Sequence, residues 1–348
     1  MKNWKMRATG LATIAALSMA ACGSSTAKEA TGSADTTAAN AAGAATTVAG
    51  ETGGAATTGA CTETSGDPIN IVQNAWTASA VEAAIMKQLI ETQLCVPAKI
   101  VDIDENAQFA GLADGSLDFV TELWPSGVVA EEQAFIDDGS VVKVGELGTT
   151  GQIGWFVPDY VMKDHPELAT WEGLKDPATA KLFATAETGD KGRFLGTDPS
   201  YSAYDEPIIN ELGLPFQLQM SGSEAATVAE LDSAVAAKKP ILMYWWTPTA
   251  AAGKYHLEEV KLPKYTEGCY ADPAKIACGY PADPLVKLAS AKLKAKNVKV
   301  WAMLEKVQIT NDQQLALLPE VEIDGKSAAD VAAAWIAANE SVWKSWVA

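Results

Sequence analysis

INIVQNAWTASAVEAAIMKQLIETQLCVPAKIVDIDENAQFAGLADGSLDFVTELWP, Ile69 to Pro125, alternates two periodicities, and that alternation sets the fold class. Ile69–Gln73, Lys99–Ile103 and Asp118–Leu123 are short apolar runs rich in β-branched residues and read as strands. Between them, Ala78–Thr92 carries Val81, Ile85, Leu89 and Ile90 near helical spacing, and Ala107–Ala113 reads as a shorter helix stopped by Asp114-Gly115. A β-α-β-α-β series builds a parallel sheet covered by helices. Ligands in such sheets sit beyond the carboxyl ends of the strands. Here those ends carry Asn74-Ala75-Trp76 and Trp124-Pro125-Ser126-Gly127.

The same signature recurs downstream. Gln152–Pro158 reads as a strand, Gly196-Thr197-Asp198-Pro199-Ser200-Tyr201 follows another and leads into a helix of about Ser202–Leu212, and Pro240–Trp245 is a strand that runs out at Trp246-Thr247-Pro248. Successive strand side chains face opposite ways, so Trp245 and Trp246 are expected to divide, one packing and one lining. The last third reads as helical, over Asp283–Ala295, Lys299–Val307, Asn311–Leu318 and Ser327–Val347. Trp301, Trp335, Trp343 and Trp346 fall at helical spacing and are expected to be packing residues, as is Trp171.

Residues 1–21 read as a lipoprotein signal peptide: a basic start (Lys2, Lys5, Arg7), an apolar run from Leu11 to Leu17, then small residues directly before Cys22. Cleavage there predicts a lipidated Cys22 and an extracytoplasmic protein anchored to a bacterial membrane. Residues 22–66 are mostly Ala, Thr, Gly and Ser, a composition that cannot bury a core. They are expected to form a tether with a reach of roughly 35 to 40 Å. The rest of the chain exceeds the size of one compact core, so two lobes are expected. The net charge of −18 excludes nucleic acid as a natural partner and favours cationic ligands.

Besides Cys22 there are Cys61, Cys95, Cys269 and Cys278, an even number that outside the cytoplasm favours two disulfides. Of three possible pairings, the short loop with its Asp272-Pro273 turn favours Cys269 with Cys278, leaving Cys61 with Cys95. No CxxC occurs and both histidines are remote from the cysteines, so no metal or other cofactor is expected. Asp102-Ile103-Asp104-Glu105-Asn106 starts like a calcium loop but has Ala107 and Ala113 where Gly and Glu are required, and it reads as a strand end and turn. HExxH, GxSxG, GxxxxGK[ST] and GxGxxG are all missing, which argues against an enzyme and leaves the catalytic list empty.

Tryptophans at strand ends of an acidic chain point to a methylated ammonium ligand, which cannot donate hydrogen bonds but is attracted to aromatic faces. FAGLADGSLDFVTELWP, LKDPATAKLFATAETGDKGRFLGTDPSYSAYDEPI and PILMYWWTP resemble, in order and spacing, the substrate-binding proteins of glycine betaine and proline betaine ABC transporters. CGYPADPLVKLASAKLKAKN and WIAANESVWKSWV resemble them more loosely. That resemblance implies an α/β, type II periplasmic-binding-protein fold, with lobe I over 67–152 and 253–348, lobe II over 153–252, two hinge crossovers and a cleft between the lobes. It implies a monomer that binds a quaternary amine and delivers it to ABC permease subunits. It assigns an aromatic cage to Trp124, Tyr201 and Trp246, adds Trp76 from some branches of the family, and makes Trp246 rather than Trp245 the wall. For a ligand carboxylate it implies the amides of Ser202 and Ala203, at a helix N-terminus where anions bind well. The family's histidine is replaced by Thr249, which leaves choline, carnitine or another quaternary amine open beside the betaines. Another small amine or amino-acid derivative held by Glu122, Asp198 or Asp205 is the alternative, and an extracytoplasmic enzyme the third reading.

Overall fold

The computed structural model describes Cys61, residues 63–201 and residues 204–348. The signal peptide, the lipidated Cys22, almost all of the tether, and Ser202 and Ala203 lie outside the described residues. Among the described residues nine strands form one sheet: β1 (Ile69–Gln73), β2 (Ala98–Asp102), β3 (Phe119–Leu123), β4 (Val141–Pro158), β5 (Gly192–Gly196), β6 (Phe216–Met220), β7 (Met243–Thr247), β8 (Leu257–Val260) and β9 (Ala282–Ser290). The order is β2-β1-β3-β9-β4-β7-β5-β6, with β8 beside β4. At one end β1 pairs in parallel with β2 and β3; at the other β5 pairs in parallel with β6 and β7. Both parallel groups are joined through antiparallel β4 and β9.

The opening β-α-β-α-β series forms as its periodicity predicts. The helix Thr77–Gln93 buries Val81, Ile85, Leu89 and Ile90, and Glu105–Asp114 ends on Gly115, whose φ of 79° is the left-handed cap that glycine accepts at little cost. Asp102 closes β2 and Glu105 opens the following helix, so the acidic run there is a strand end and turn.

Three segments depart from expectation. Asp283–Ala295 is not a helix: Ala282–Ser290 is β9, and only Leu293–Lys296 is helical. Leu285, Leu288 and Ala289 mimic helical spacing, and Leu, Lys and Ala favour helix locally. Pairing with β3 on one side and β4 on the other overrides that preference. β4 begins at Val141 rather than near Gln152, because Gly145, Gly148 and Gly151 mask its upstream half, where the register shifts at Lys143/Gly145 and Glu146/Thr150. The final helical stretch is interrupted at Asn339, between Ala328–Ala338 and Glu340–Trp343.

The disulfides are Cys61–Cys95 and Cys269–Cys278, with Cα atoms 5.3 and 6.5 Å apart. The first ties the chain entering at Cys61 to the end of the helix Thr77–Gln93, where Cys61 N–H also donates to the Thr92 carbonyl at 2.9 Å. Trp301, Trp335, Trp343 and Trp346 are buried in the core, as their spacing predicts.

Candidate functional site

Five aromatic side chains from four strands or their exits close around one cavity. Trp76 follows β1, Trp124 follows β3, Tyr201 lies in the turn after β5, and Tyr244 and Trp246 belong to β7. With Glu105, Gly127 and Ile153 they line about 350 Å³ of empty space. Tyr201 is the pivot: its ring meets Trp76 edge-on at 5.7 Å and Trp246 edge-on at 5.7 Å, and stands 6.3 Å from Tyr244. Such edge contacts place the positive rim of one ring on the face of another and hold the walls at fixed angles.

One tryptophan of the β7 pair lines the cavity and the other does not. Tyr244 and Trp246, two residues apart, both line it, and Ile153 of β4 is the cross-strand partner of Trp246. Trp245 is fully buried and stacks on Trp246 at 4.5 Å with the planes 28° apart, so its ring backs the wall rather than standing on the opposite face of the strand. Its Nε1 donates to Thr249 Oγ1 at 2.8 Å, and the same hydroxyl accepts from Ala252 N at 3.2 Å to cap the next helix. Thr249 therefore supports the wall from behind. Thr249→Ala removes a cap and leaves the buried indole N–H without a partner, so it is expected to cost about 2 kcal/mol. Thr249→Ser is expected to restore most of it, read by urea unfolding; equal stability of the alanine variant would refute the support role.

Trp124 is held from three sides. The turn after it is pinned by Asp283 of β9, whose Oδ1 accepts from Ser126 N at 3.0 Å and whose Oδ2 accepts from Ser126 Oγ. Its indole lies over Gly151, where a Cβ would come within 2.1 Å of the ring. Any larger residue there would displace the wall. Its Nε1 donates to Glu122 Oε1 at 2.8 Å, and Trp76 Nε1 donates to the same oxygen at 2.9 Å.

Sequence reasoning missed Glu105, Tyr244, Ile153, Gly127 and Gly151. Tyr244 was within reach, since it lies on the face of Trp246 one strand period earlier. Glu105 has a local signal only as the first residue of a helix; nothing local tells that its carboxyl is buried. Burial, assisted by Glu132 and Glu122, raises its pKa to about 8, so it is largely protonated at neutral pH. Its Oε1 and the Tyr201 hydroxyl oxygen are buried without a hydrogen-bond partner among the described residues. No Lys, Arg or His is among the described residues lining the cavity. Of the acids weighed from sequence, Glu122 lies behind the tryptophans, Asp205 accepts from Trp155 Nε1 and Tyr280 Oη at 2.7 and 2.8 Å, and Asp198 accepts from Ser200 N in its own turn. None of the three lines the cavity.

Residues 67–338 match the substrate-binding domain of ABC-type glycine betaine transport systems. A trimethylamine N-oxide-binding protein from Pelagibacter ubique is 28% identical over 287 residues, covering 80% of this chain and 90% of its own. Among solved structures, the glycine betaine/L-proline-binding protein from Borrelia burgdorferi superposes with a TM-score of 0.65 at 18% identity, over 81% of this chain and 97% of its own. An ABC-transporter choline-binding protein in complex with choline gives 0.62 at 18% identity, over 81% and 92%. The architecture is the type II periplasmic-binding-protein fold. With the match running from Asp67 almost to the C-terminus, the chain belongs to the family of substrate-binding domains of ABC-type glycine betaine transport systems.

Proposed function

We propose that this chain is the lipid-anchored, extracytoplasmic receptor of an ABC importer, and that its aromatic cavity holds one small methylated ammonium compound without a carboxylate, trimethylamine N-oxide foremost. The observation that carries the reading is the lining itself: five rings and one buried acid, with no Lys, Arg or His among the described residues that line it. A trimethylated nitrogen placed among the rings gains about 0.5 to 2 kcal/mol per face. Micromolar binding needs about 8 kcal/mol, so a polar contact must add to the rings. Protonated Glu105 supplies it by donating to the N-oxide oxygen, and the partnerless Tyr201 hydroxyl is a second donor. A betaine would instead bring a full carboxylate charge into a cavity with no Lys, Arg or His among its described lining residues to offset it. The likeness to a trimethylamine N-oxide-binding protein supports the same choice.

Choline is the second reading, favoured by the same acid in its ionised form. The two ligands predict opposite pH dependence around the Glu105 value of about 8. N-oxide binding uses the protonated acid and weakens as pH rises through 8; choline binding uses the carboxylate and strengthens over the same interval. Calorimetric titration of trimethylamine N-oxide, choline and glycine betaine between pH 6.5 and 9 is expected to show N-oxide binding tightest at neutral pH, and glycine betaine at least about tenfold weaker. Tighter binding of glycine betaine throughout, or heat from none of the three, would refute the proposal.

The lobes that close on the ligand are 67–152 with 253–348, and 153–252. Contacts between these segments support closure: Thr77 N and Oγ1 donate to Glu224 Oε2 at 2.8 and 2.9 Å, and Asn106 Nδ2 donates to the Ser200 carbonyl at 3.1 Å. Hinge motion between them releases the ligand to the permease. Tethering through Cys22 and residues 22–66 keeps the receptor near that permease, and the Ser202 and Ala203 amides are assigned to the ligand's polar end.

A further inference from the structure

Behind the cavity lies an acid that touches no empty space and yet joins two of its walls. Glu122 is fully buried on β3, and its Oε1 accepts both the Trp76 and the Trp124 indole N–H groups. These tryptophans come from different strand ends, and one oxygen sets the angle of each. Gln314 Nε2, from the helix Asn311–Glu322, reaches the other oxygen at 3.4 Å. Beside this arrangement is Glu82 of the helix Thr77–Gln93, 1% exposed, with neither carboxyl oxygen hydrogen-bonded among the described residues. Two buried acids whose charges repel each other do not both ionise. Glu122 has two indole donors and Glu82 has none, so geometry assigns the proton to Glu82 and the charge to Glu122.

We infer that Glu122 is a positioning residue for the cavity: it locks the Trp76 and Trp124 indoles as one unit, and its negative charge enriches the two aromatic faces that attract the ligand's ammonium group. The inference rests on the ligand reading given under Proposed function. An indole N–H that donates to a carboxylate makes a charge-assisted bond, and chains of hydrogen bonds polarise one another in a low-dielectric interior. Electron density pushed toward the ring strengthens the negative face on which cation–π attraction depends. The ionisable groups around it are all acids: Glu224 on Glu224–Ala236 opposes its charge, and Glu122 in turn raises the proton affinity of Glu82 on Thr77–Gln93 and Glu105 on Glu105–Asp114. Burial also opposes its charge, and the two indoles favour it.

Indole 1H–15N resonances of Trp76 and Trp124, followed by NMR against pH in the ligand-free protein, test the coupling without any ligand. Both signals are expected to move together with one midpoint near the Glu122 value of about 7. Glu122→Gln keeps an oxygen acceptor but no charge and should abolish that movement. Glu82→Gln, which exchanges one uncharged group for another, should leave the shared midpoint essentially where it is. At pH 8, Glu122→Gln is expected to bind trimethylamine N-oxide, with choline as second probe, about tenfold more weakly than wild type. Indoles that titrate separately, or Glu122→Gln binding as tightly as wild type, would overturn the inference. If wild type binds neither probe while the indoles move together as expected, the ligand reading fails and the positioning role stands.

Discussion

Trp246→Ala is expected to weaken ligand binding on the order of a hundredfold, equivalent to about 2.7 kcal/mol. Trp246 is 5% exposed, lines the cavity, contacts Tyr201 edge-on and rests on Trp245. Truncation removes one cation-attracting face and also lets Tyr201 move, which loosens a second. Trp246→Phe keeps a face and is expected to lose about tenfold or less. Trp245→Phe is the control that separates the two neighbours. It loses the hydrogen bond to Thr249 and should cost about 2 kcal/mol of stability while leaving affinity within about threefold. Calorimetry for binding and urea unfolding for stability check both arms. Unchanged affinity in Trp246→Ala would remove Trp246 from the site.

The ligand-free protein is expected to become markedly less stable between pH 5 and pH 8. Burial raises Asp205 and Asp283 from 3.8 to about 6, Glu122 and Glu322 from 4.5 to about 7, and Glu105 from 4.5 to about 8. Between the unfolded and folded values the native chain holds more protons than the unfolded one, so raising the pH favours unfolding. The stability these groups confer is full at acidic pH and is lost as pH rises to about 8. Each group loses at most about 1.4 kcal/mol for every pH unit that separates its folded value from its unfolded one. Asp114 and Asp138 are lowered by hydrogen bonds to Ser116 and Ser140 and act in the opposite direction. They are fully exposed and screened by solvent, so the buried acids dominate. A melting temperature about 10 °C lower at pH 8 than at pH 5 is expected by calorimetry. Glu105→Gln should recover part of that difference. A melting temperature that rises with pH would show that these acids are ionised in the folded state at neutral pH.

The strand-exit aromatics and the opening β-α-β-α-β series were legible because both depend on neighbours a few residues apart. Trp76 and Trp124 end runs of apolar residues, and the alternation of β7 puts Tyr244 and Trp246 on one side without knowledge of the fold. β9 was misread for the complementary reason: its local preference is helical, and only ladders to β3 and β4 make it a strand. Gly151 carries no local signal at all, since its smallness matters only where the Trp124 ring crosses β4.

By itself, then, the sequence determined the α/β class and the aromatic residues at the strand ends. Tertiary structure decided that Glu105 enters the cavity, that Glu122 accepts from two indoles at once and that Glu82 lies beside it with no partner among the described residues. The reason is physical. Strand and helix periodicity arise from backbone geometry over a few residues, whereas the proton affinity of an acid depends on how much water the whole fold removes and on which charges and donors it brings close.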